Sequence, residues 1–252
     1  MKRLTSVEKD KIISLMRDGK SLNYISRVTG KSKSTLYYHY KRLLGKKLKK
    51  VKLPEDNSFI GELVGLFVGD GNLFHDKVGG HYIVRFFFNV KERDYVENIV
   101  KLFNSCLLKK PQLHREKNVL VVKYYSKDLF YFIKRYVGWG ISLDKRGANQ
   151  KSRTVFLRGE EHSIDFKKGF LRGFIDSDGY LSKNKVLFGS ASERVMKQTY
   201  NFLIDLKFEK FKLSYYKRDK GRGVGIWHLY VHKVERDKFF LLIKPRNIVN
   251  LS

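Results

Sequence analysis

The sequence predicts an α+β protein in which a small all-α unit precedes a larger unit built from two copies of one element series. Three observations carry this reading. Residues 1–52 hold 16 Lys or Arg against Glu8, Asp10 and Asp18, and show only helical periodicity. From Phe59 onward, helical stretches alternate with aromatic and β-branched runs of strand length. A shift of 108 residues places Gly61 on Gly169, Leu63 on Leu171, Gly65 on Gly173, Asp70 on Asp178, Gly71 on Gly179 and Leu73 on Leu181, the mark of an internal repeat. At 252 residues the chain has room for a duplicated fold with a sizeable core.

Taken in order, Thr5 and Glu8 have capping-box spacing, and Ile12, Ile13, Leu15 and Met16 form an apolar face that stops at Asp18-Gly19. Ser21 opens a second short helix that Gly30 closes. Lys31 to Thr35 lead into a third, which carries Leu36, Tyr37, Tyr40, Leu43 and Leu44. Residues 1–45 therefore form a three-helix unit, and 46–53 a basic linker ending near Pro54. The first repeat, 54–162, starts with an apolar helix ending at Asp70-Gly71 and continues with a strand at Tyr82–Phe88. A helix around Tyr95, Ile99, Leu102 and Phe103, a hairpin joining Gln112–Arg115 to Val119–Tyr125, and a helix at Ser126–Tyr136 follow. The second, 163–252, repeats the series: a helix ending at Asp178-Gly179, a strand at Lys185–Phe188, a helix at Ser192–Leu206, a hairpin of Phe211–Lys217 and Val224–Val231, and a helix at Glu235–Ile243.

Composition narrows the function. A formal charge of +28 on a chain that is 42% hydrophobic and 14% aromatic describes a folded polycation rather than a disordered tail, and a folded polycation calls for a polyanion. Nucleic acid fits better than an anionic membrane surface. Nowhere do about 18 apolar residues run together, so no membrane-spanning helix is expected. The start of the chain lacks an apolar stretch of signal-peptide length. Cys106 is the sole cysteine, which excludes an internal disulfide and a cysteine-based zinc site and fits a reducing, cytoplasmic setting. His228 and His232 lie four apart in a predicted strand without a third ligand, so they form no metal set.

The repeat itself carries the chemistry. Gly61, Gly65 and Gly69 stand four apart, as do Gly169, Gly173 and Ser177, so each helix presents a ridge of small residues. Glycine inside a helix costs about 1 kcal/mol against alanine. Repeating that cost at matched positions makes sense if the helices pack backbone to backbone, with Gly61, Gly65, Gly169 and Gly173 at the interface. Asp70 and Asp178 each sit in a last helical turn, where the macrodipole disfavours an acid by about 0.3 to 1 kcal/mol. Side-by-side packing would bring both carboxylates out at one end, and two neighbouring anions need a cation or a shared proton. In a basic protein a hard divalent ion, bound through oxygen and shared with phosphate, is the economical answer.

Leu63-Val64-Gly65-Leu66-Phe67-Val68-Gly69-Asp70-Gly71 and Leu171-Arg172-Gly173-Phe174-Ile175-Asp176-Ser177-Asp178-Gly179 resemble the two signature motifs of the LAGLIDADG homing endonucleases. The likeness extends in layout over residues 54–252. It implies a pseudo-twofold fold of two αββαββα-type repeats whose antiparallel sheets form a saddle in the DNA major groove. It further implies motif helices at the interface between halves, with Asp70 and Asp178, and the adjacent Gly69 and Ser177, at a Mg2+ or Mn2+ site that cuts one phosphodiester on each strand. The family also commonly has a basic residue near each active site, and Lys151 and Lys244 resemble these by location. The sixth motif position holds Val68 in one half and Asp176 in the other.

The N-terminal unit resembles a helix-turn-helix of the recombinase or resolvase type, which would direct Lys33, Ser34, Thr35, Tyr37 and Tyr38 to the groove and backbone of DNA. In the repeats, Arg85, Lys212, Tyr216, Arg218, Lys220 and Arg222 are further candidate contacts. The expected partner is double-stranded DNA bound by a monomer in the cytoplasm, associated with the nucleoid. Two other functions share these features: a cleavage-inactive DNA-binding transcriptional regulator, and an RNA-splicing maturase bound to intron RNA.

Overall fold

The computed structural model describes residues 4–44, 50–141, 150–159, 161–182, 185–217 and 225–247. The chain divides into two compact units, residues 1–50 and 51–252.

In the first unit, α1 (Ser6–Arg17) begins at the Thr5/Glu8 capping box, each side chain bonding the other's backbone N–H. Helix α2 (Leu22–Thr29) starts on Ser21 and ends at Gly30, whose φ of 64° is the left-handed conformation that glycine adopts without strain. Helix α3 (Lys33–Leu44) follows at once, with the Ser32 hydroxyl accepting from the Thr35 N–H. Ile12, Met16, Ile25 and Leu36 form a small closed core, and the Lys31–Glu8 pair at 2.8 Å links the start of α1 to the turn before α3.

The second unit opens with Val51 and Leu53 already packed on its core, and the Lys52 N–H donates to the Leu107 carbonyl. Part of the segment that reads as linker in the sequence thus belongs to this unit. The first repeat runs α4 (Asn57–Asp70), β1 (Gly71–Asp76), β2 (His81–Asn89), a 3-10 turn (Val90–Glu92), α5 (Arg93–Leu107), β3 (Gln112–Glu116), β4 (Val119–Tyr125) and α6 (Lys127–Tyr136). A two-stranded connection of β5 (Val137–Trp139) and β6 (Val155–Leu157), with the single turn α7 (Lys151–Thr154) between them, leads into the second repeat. That repeat runs α8 (Ile164–Asp178), β7 (Gly179–Ser182), β8 (Lys185–Ser190), α9 (Glu193–Asp205), β9 (Phe211–Tyr216), β10 (Ile226–Val231), a 3-10 turn (Lys233–Glu235) and α10 (Arg236–Ile243). Both repeats are αββαββα.

Each repeat folds one four-stranded antiparallel sheet, ordered β1-β2-β4-β3 and β7-β8-β10-β9. The registers correspond: Gly71 pairs with Phe86 and Phe86 with Val122, just as Gly179 pairs with Phe188 and Phe188 with Leu229. One face of each sheet supplies the core, through Val84, Phe86, Phe88, Leu120, Val122 and Tyr124 in the first and Val186, Phe188, Leu229 and Val231 in the second. Strands β1 and β7 start where the sequence reads only a helix stop. Gly71 and Gly179 have extended backbones, φ −88° and −101°, so neither makes a left-handed turn. They are glycines because an added Cβ would run into the preceding helical turn, against Phe67 and Ile175.

Candidate active site

Helices α4 and α8 pack along their small residues, and the packing is reciprocal. A Cβ on Gly61 would overlap the Phe166 carbonyl and the Phe170 N, and one on Gly169 would overlap the Ser58 carbonyl and the Glu62 N. Gly65 meets the Phe170 carbonyl and the Phe174 N, and Gly173 the Glu62 carbonyl and the Leu66 N. Every contact is matched by another 108 residues away, as an interface about a twofold axis requires. Backbone lies on backbone, leaving no room for even a methyl group. Gly69 continues the seam, with the Ser177 side chain filling the space its own side chain would need.

This packing carries Asp70 and Asp178 to a common end of the helix pair. Asp70 is half-buried and Asp178 reaches solvent, and each belongs to the turn before a strand. Lost hydration, and next the charge of Asp178, push the Asp70 carboxyl up to about 8, with Lys151 pulling it down. Lost hydration also raises Asp178, and Lys151 again opposes. The Lys151 ammonium donates to the carbonyls of Phe67, Val68, Gly69 and Gly71 at 2.7, 2.9, 3.2 and 2.7 Å, so it caps the end of α4 from across the repeat connection. Burial lowers its pKa to about 8, while the two acids work to keep it charged. The Gly69 carbonyl is therefore engaged by Lys151. The Ser177 hydroxyl donates to its own helix, at Gly173 and Phe174. Lys244, the other basic candidate, is an exposed left-handed residue that closes α10, and from its segment it is Arg246 that reaches the interior.

The sixth motif position separates the halves. Val68 is a buried apolar residue, whereas the buried Asp176 carboxylate accepts the N–H groups of Arg246 and Asn247 at 3.0 to 3.1 Å. Its pKa is pushed to about 7 by burial against the pull of those two N–H bonds. The Asn247 amide bonds the Asp176 carbonyl and Glu92 of the first repeat. Glu62, 1% exposed on α4, receives Arg172 of α8 at 2.9 Å and Arg246 at 2.6 Å, and Arg172 also bonds the Ile243 carbonyl. Residues 243–247 thus bind both motif helices and the first repeat. Sequence reading passes over Glu62, although one acid in the middle of an apolar helix is a signal, since a buried carboxylate requires a cation.

The sheet faces opposite the core differ between repeats. On the first, Arg85 pairs across strands with Asn72 and Lys123, Ile83 with Phe74, and Phe87 with Val121. On the second, Lys185, Leu187 and Gly189 alternate with core residues and stand beside Ser182, Tyr180, Tyr230 and His228. Lys212, Ser214 and Tyr216 continue this face, which holds a groove of about 230 Å3. A cleft of about 360 Å3, lined by Asp178, Ser152, Tyr180 and His228, connects it to the acid end of the helices. Candidates Arg85, Lys212 and Tyr216 therefore all lie on outer faces. Arg218, Lys220 and Arg222 lie outside the described residues. In the N-terminal unit Lys33, Ser34, Tyr37 and Tyr38 are exposed along α3, and Thr35 is half-buried at the cap with its hydroxyl 2.9 Å from that of Ser32.

Two packed αββαββα repeats meeting at a glycine seam, with an acid at the end of each motif helix, define the fold of the LAGLIDADG proteins. The family model of the LAGLIDADG-like domain matches residues 165–244. The fold is similar to the crystal structure of I-DmoI in complex with DNA and Ca, at a TM-score of 0.53 and 17% identity over 75% of this chain and 91% of that one. A variant of I-DmoI with its target DNA and Mg gives a TM-score of 0.54 at 14% identity, covering 75% and 96%. In sequence, the chain is 26% identical over 128 residues to uncharacterized protein MJ0398 of Methanocaldococcus jannaschii. The match takes in 49% of this chain and 40% of that protein. No helix among the described residues is long and apolar enough to cross a membrane.

Proposed function

We propose that the chain is a site-specific, divalent-metal-dependent DNA endonuclease of the homing type, hydrolysing one phosphodiester on each strand. The observation that carries this reading is the emergence of Asp70 and Asp178 at one end of the helix pair, where the charge of one raises the proton affinity of the other. A protein selected for stability alone has no reason to place two acids there. The residues fit a hard cation: two carboxylates supply anionic oxygens, Asp178 is open to solvent, and nearby Lys151 is taken up by carbonyls. Among the described residues no third His, Cys, Asp or Glu joins them, so water, backbone or phosphate oxygens would complete the shell. Structures of I-DmoI with DNA and Ca or Mn, and of its variant with Mg, support Mg2+ or Mn2+ as the ion.

When bound, the ion would supply Lewis-acid activation of water and charge neutralisation at the leaving oxygen. The chain's own residues do the rest. Lys151 fixes the turn that bears Asp70 and sets a positive charge beside both acids. The outer sheet faces lie along the major groove, and the N-terminal helices, with Lys33, Ser34, Thr35, Tyr37 and Tyr38, add a second contact with DNA. Because one chain supplies both acids, a monomer suffices, acting in the cytoplasm on nucleoid DNA.

The test is to select bound DNA from a random pool with the full chain and then add Mg2+ or Mn2+. Double-strand products of defined length are expected, lost in Asp70→Asn and Asp178→Asn while affinity in EDTA holds or improves. Sequence-preferring binding without cleavage by the unaltered chain overturns the enzyme in favour of a regulator, and preference for structured intron RNA does so in favour of a maturase.

A further inference from the structure

The two sheets can be compared position by position, because Phe86 and Phe188 occupy the same place in matching registers. Where the outer face of the first sheet carries Phe74, Ile83, Phe87 and Val121, the second carries Ser182, Lys185, Gly189 and His228. At these four sites apolar residues stand where the second sheet has polar or small ones, and between them Asn72, Arg85 and Lys123 stand where it has Tyr180, Leu187 and Tyr230. Ile83 and Val121 are buried although they point away from the core, so the first sheet has an apolar floor on its outer side, and Phe74, 47% exposed, stands at its border. Arg85 lies at the centre of this floor. Its guanidinium is 5.3 Å from the Phe74 ring centre and 5.7 Å from that of Phe87, and its Nε and Nη2 donate to the Asn72 side-chain oxygen at 3.2 and 2.7 Å. Two of its five N–H donors are thereby spent on holding it in place, flanked by two rings.

In the major groove only thymine offers a methyl group, and guanine offers the two-acceptor edge that arginine matches. A surface of aromatic and aliphatic carbon around one oriented guanidinium is complementary to a guanine with thymines beside it. We propose that the first repeat reads its half-site as such a group, Arg85 on guanine and Phe74 and Phe87 on flanking thymine methyls, while the second repeat reads its half through hydrogen bonds from Lys185, Lys212, Ser214, Tyr216 and His228. This rests on the reading of the chain as a site-specific DNA-binding enzyme and adds the base chemistry of each half.

Atomic substitution in the DNA tests it. The site selected by the full chain is resynthesised with deoxyuridine for thymine, which removes only the methyl, in one half at a time, and affinity is measured in EDTA. In the half read by the first repeat, removal of each methyl that meets the protein should weaken binding about fourfold, and 7-deazaguanine in place of the guanine read by Arg85 about fivefold or more. The deoxyuridine effect should vanish in Phe74→Ser and Phe87→Ser, and the 7-deazaguanine effect in Arg85→Ala, which identifies the half concerned. Phe74 is partly exposed, so its replacement leaves the core intact should Phe87→Ser fold poorly. Equal or absent deoxyuridine effects in both halves, or an effect unchanged in the Phe74 and Phe87 variants, would overturn the inference while the endonuclease reading stands. Failure to enrich any site would remove both.

Discussion

The two repeats share a backbone plan and a glycine seam, and differ in much of what flanks that seam or faces outward. Their motif helices meet through the same backbone atoms, each approach matched by its counterpart. Around that common axis, the first repeat contributes the apolar Val68 at the sixth motif position, the aromatic floor around Arg85 and a motif turn capped by Lys151. The second contributes Asp176, a hydroxyl- and imidazole-bearing sheet face and a chain segment that folds back to cover the seam. The difference shows which features the duplicated architecture requires and which are free to diverge. At the positions of Gly61 and Gly65, and of Gly169 and Gly173, backbone contact across the axis allows no side chain, so both copies keep glycine there. The outer faces bear no such constraint and have become unlike.

The largest effect of a substitution is expected at the seam. Gly65→Leu and Gly173→Leu each drive a side chain into the opposing backbone, which cannot rotate away, so the loss of stability should reach or exceed the upper end of the usual overpacking range of about 1 to 3 kcal/mol. Because the packing is reciprocal, the two variants should lose similar amounts in a denaturant titration; a melting curve like that of the unaltered chain for either would show that its glycine does not face the partner helix. Next comes Glu62→Ala, which leaves Arg172 and Arg246 without their anion at a buried site. The cost should be near the low end of the roughly 3 to 5 kcal/mol seen when one member of a buried pair is removed, since Arg246 is partly exposed. Replacing Glu62, Arg172 and Arg246 together by apolar residues should restore much of it.

A smaller effect is expected at the sixth motif position. Asp176→Val makes the second helix resemble the first and should cost about 1 to 3 kcal/mol by orphaning the N–H groups of Arg246 and Asn247. Amide exchange at those two residues should rise more than anywhere in α4. The smallest effect on the second unit is expected from omitting residues 1–50, which form a compact unit with its own core. The stability of residues 51–252 should be almost unchanged, whereas the slope of log affinity against log salt should flatten by about 0.9 for each phosphate that is no longer neutralised. The footprint should shorten on one side only. An identical footprint and slope would assign the N-terminal helices to a protein partner.

Hydrophobic periodicity, capping residues and the repeat spacing are enough to read the three N-terminal helices, both copies of a helix, strand, helix, hairpin and helix series, the glycine seam and the paired Asp70 and Asp178. All of these depend on local sequence or on a match between two segments. The start of the β1 and β7 strands is hidden because an Asp-Gly after an apolar helix reads as a turn, and only the approach of Phe67 and Ile175 explains glycine there in extended backbone. Lys151 is recognisable as a candidate by location, but its bonds to four carbonyls some 80 residues earlier are not.

The same holds for Glu62, Arg172, Asp176, Arg246 and Asn247, which are drawn from three separate parts of the chain. An isolated acid in an apolar helix announces that some cation must balance it, because an unpaired buried charge is too costly to keep. Which cation does so is a matter of where the chain returns in space. The apolar outer face of the first sheet likewise looks in sequence like a strand buried on both sides. Most of the elements, their duplication and the residue types at the seam are legible in the sequence, since those follow from local sterics and solvent exclusion. Only the tertiary structure settles which charges meet and which face of β2 lies away from the core, because pairing and exposure depend on contacts between residues that the chain keeps far apart.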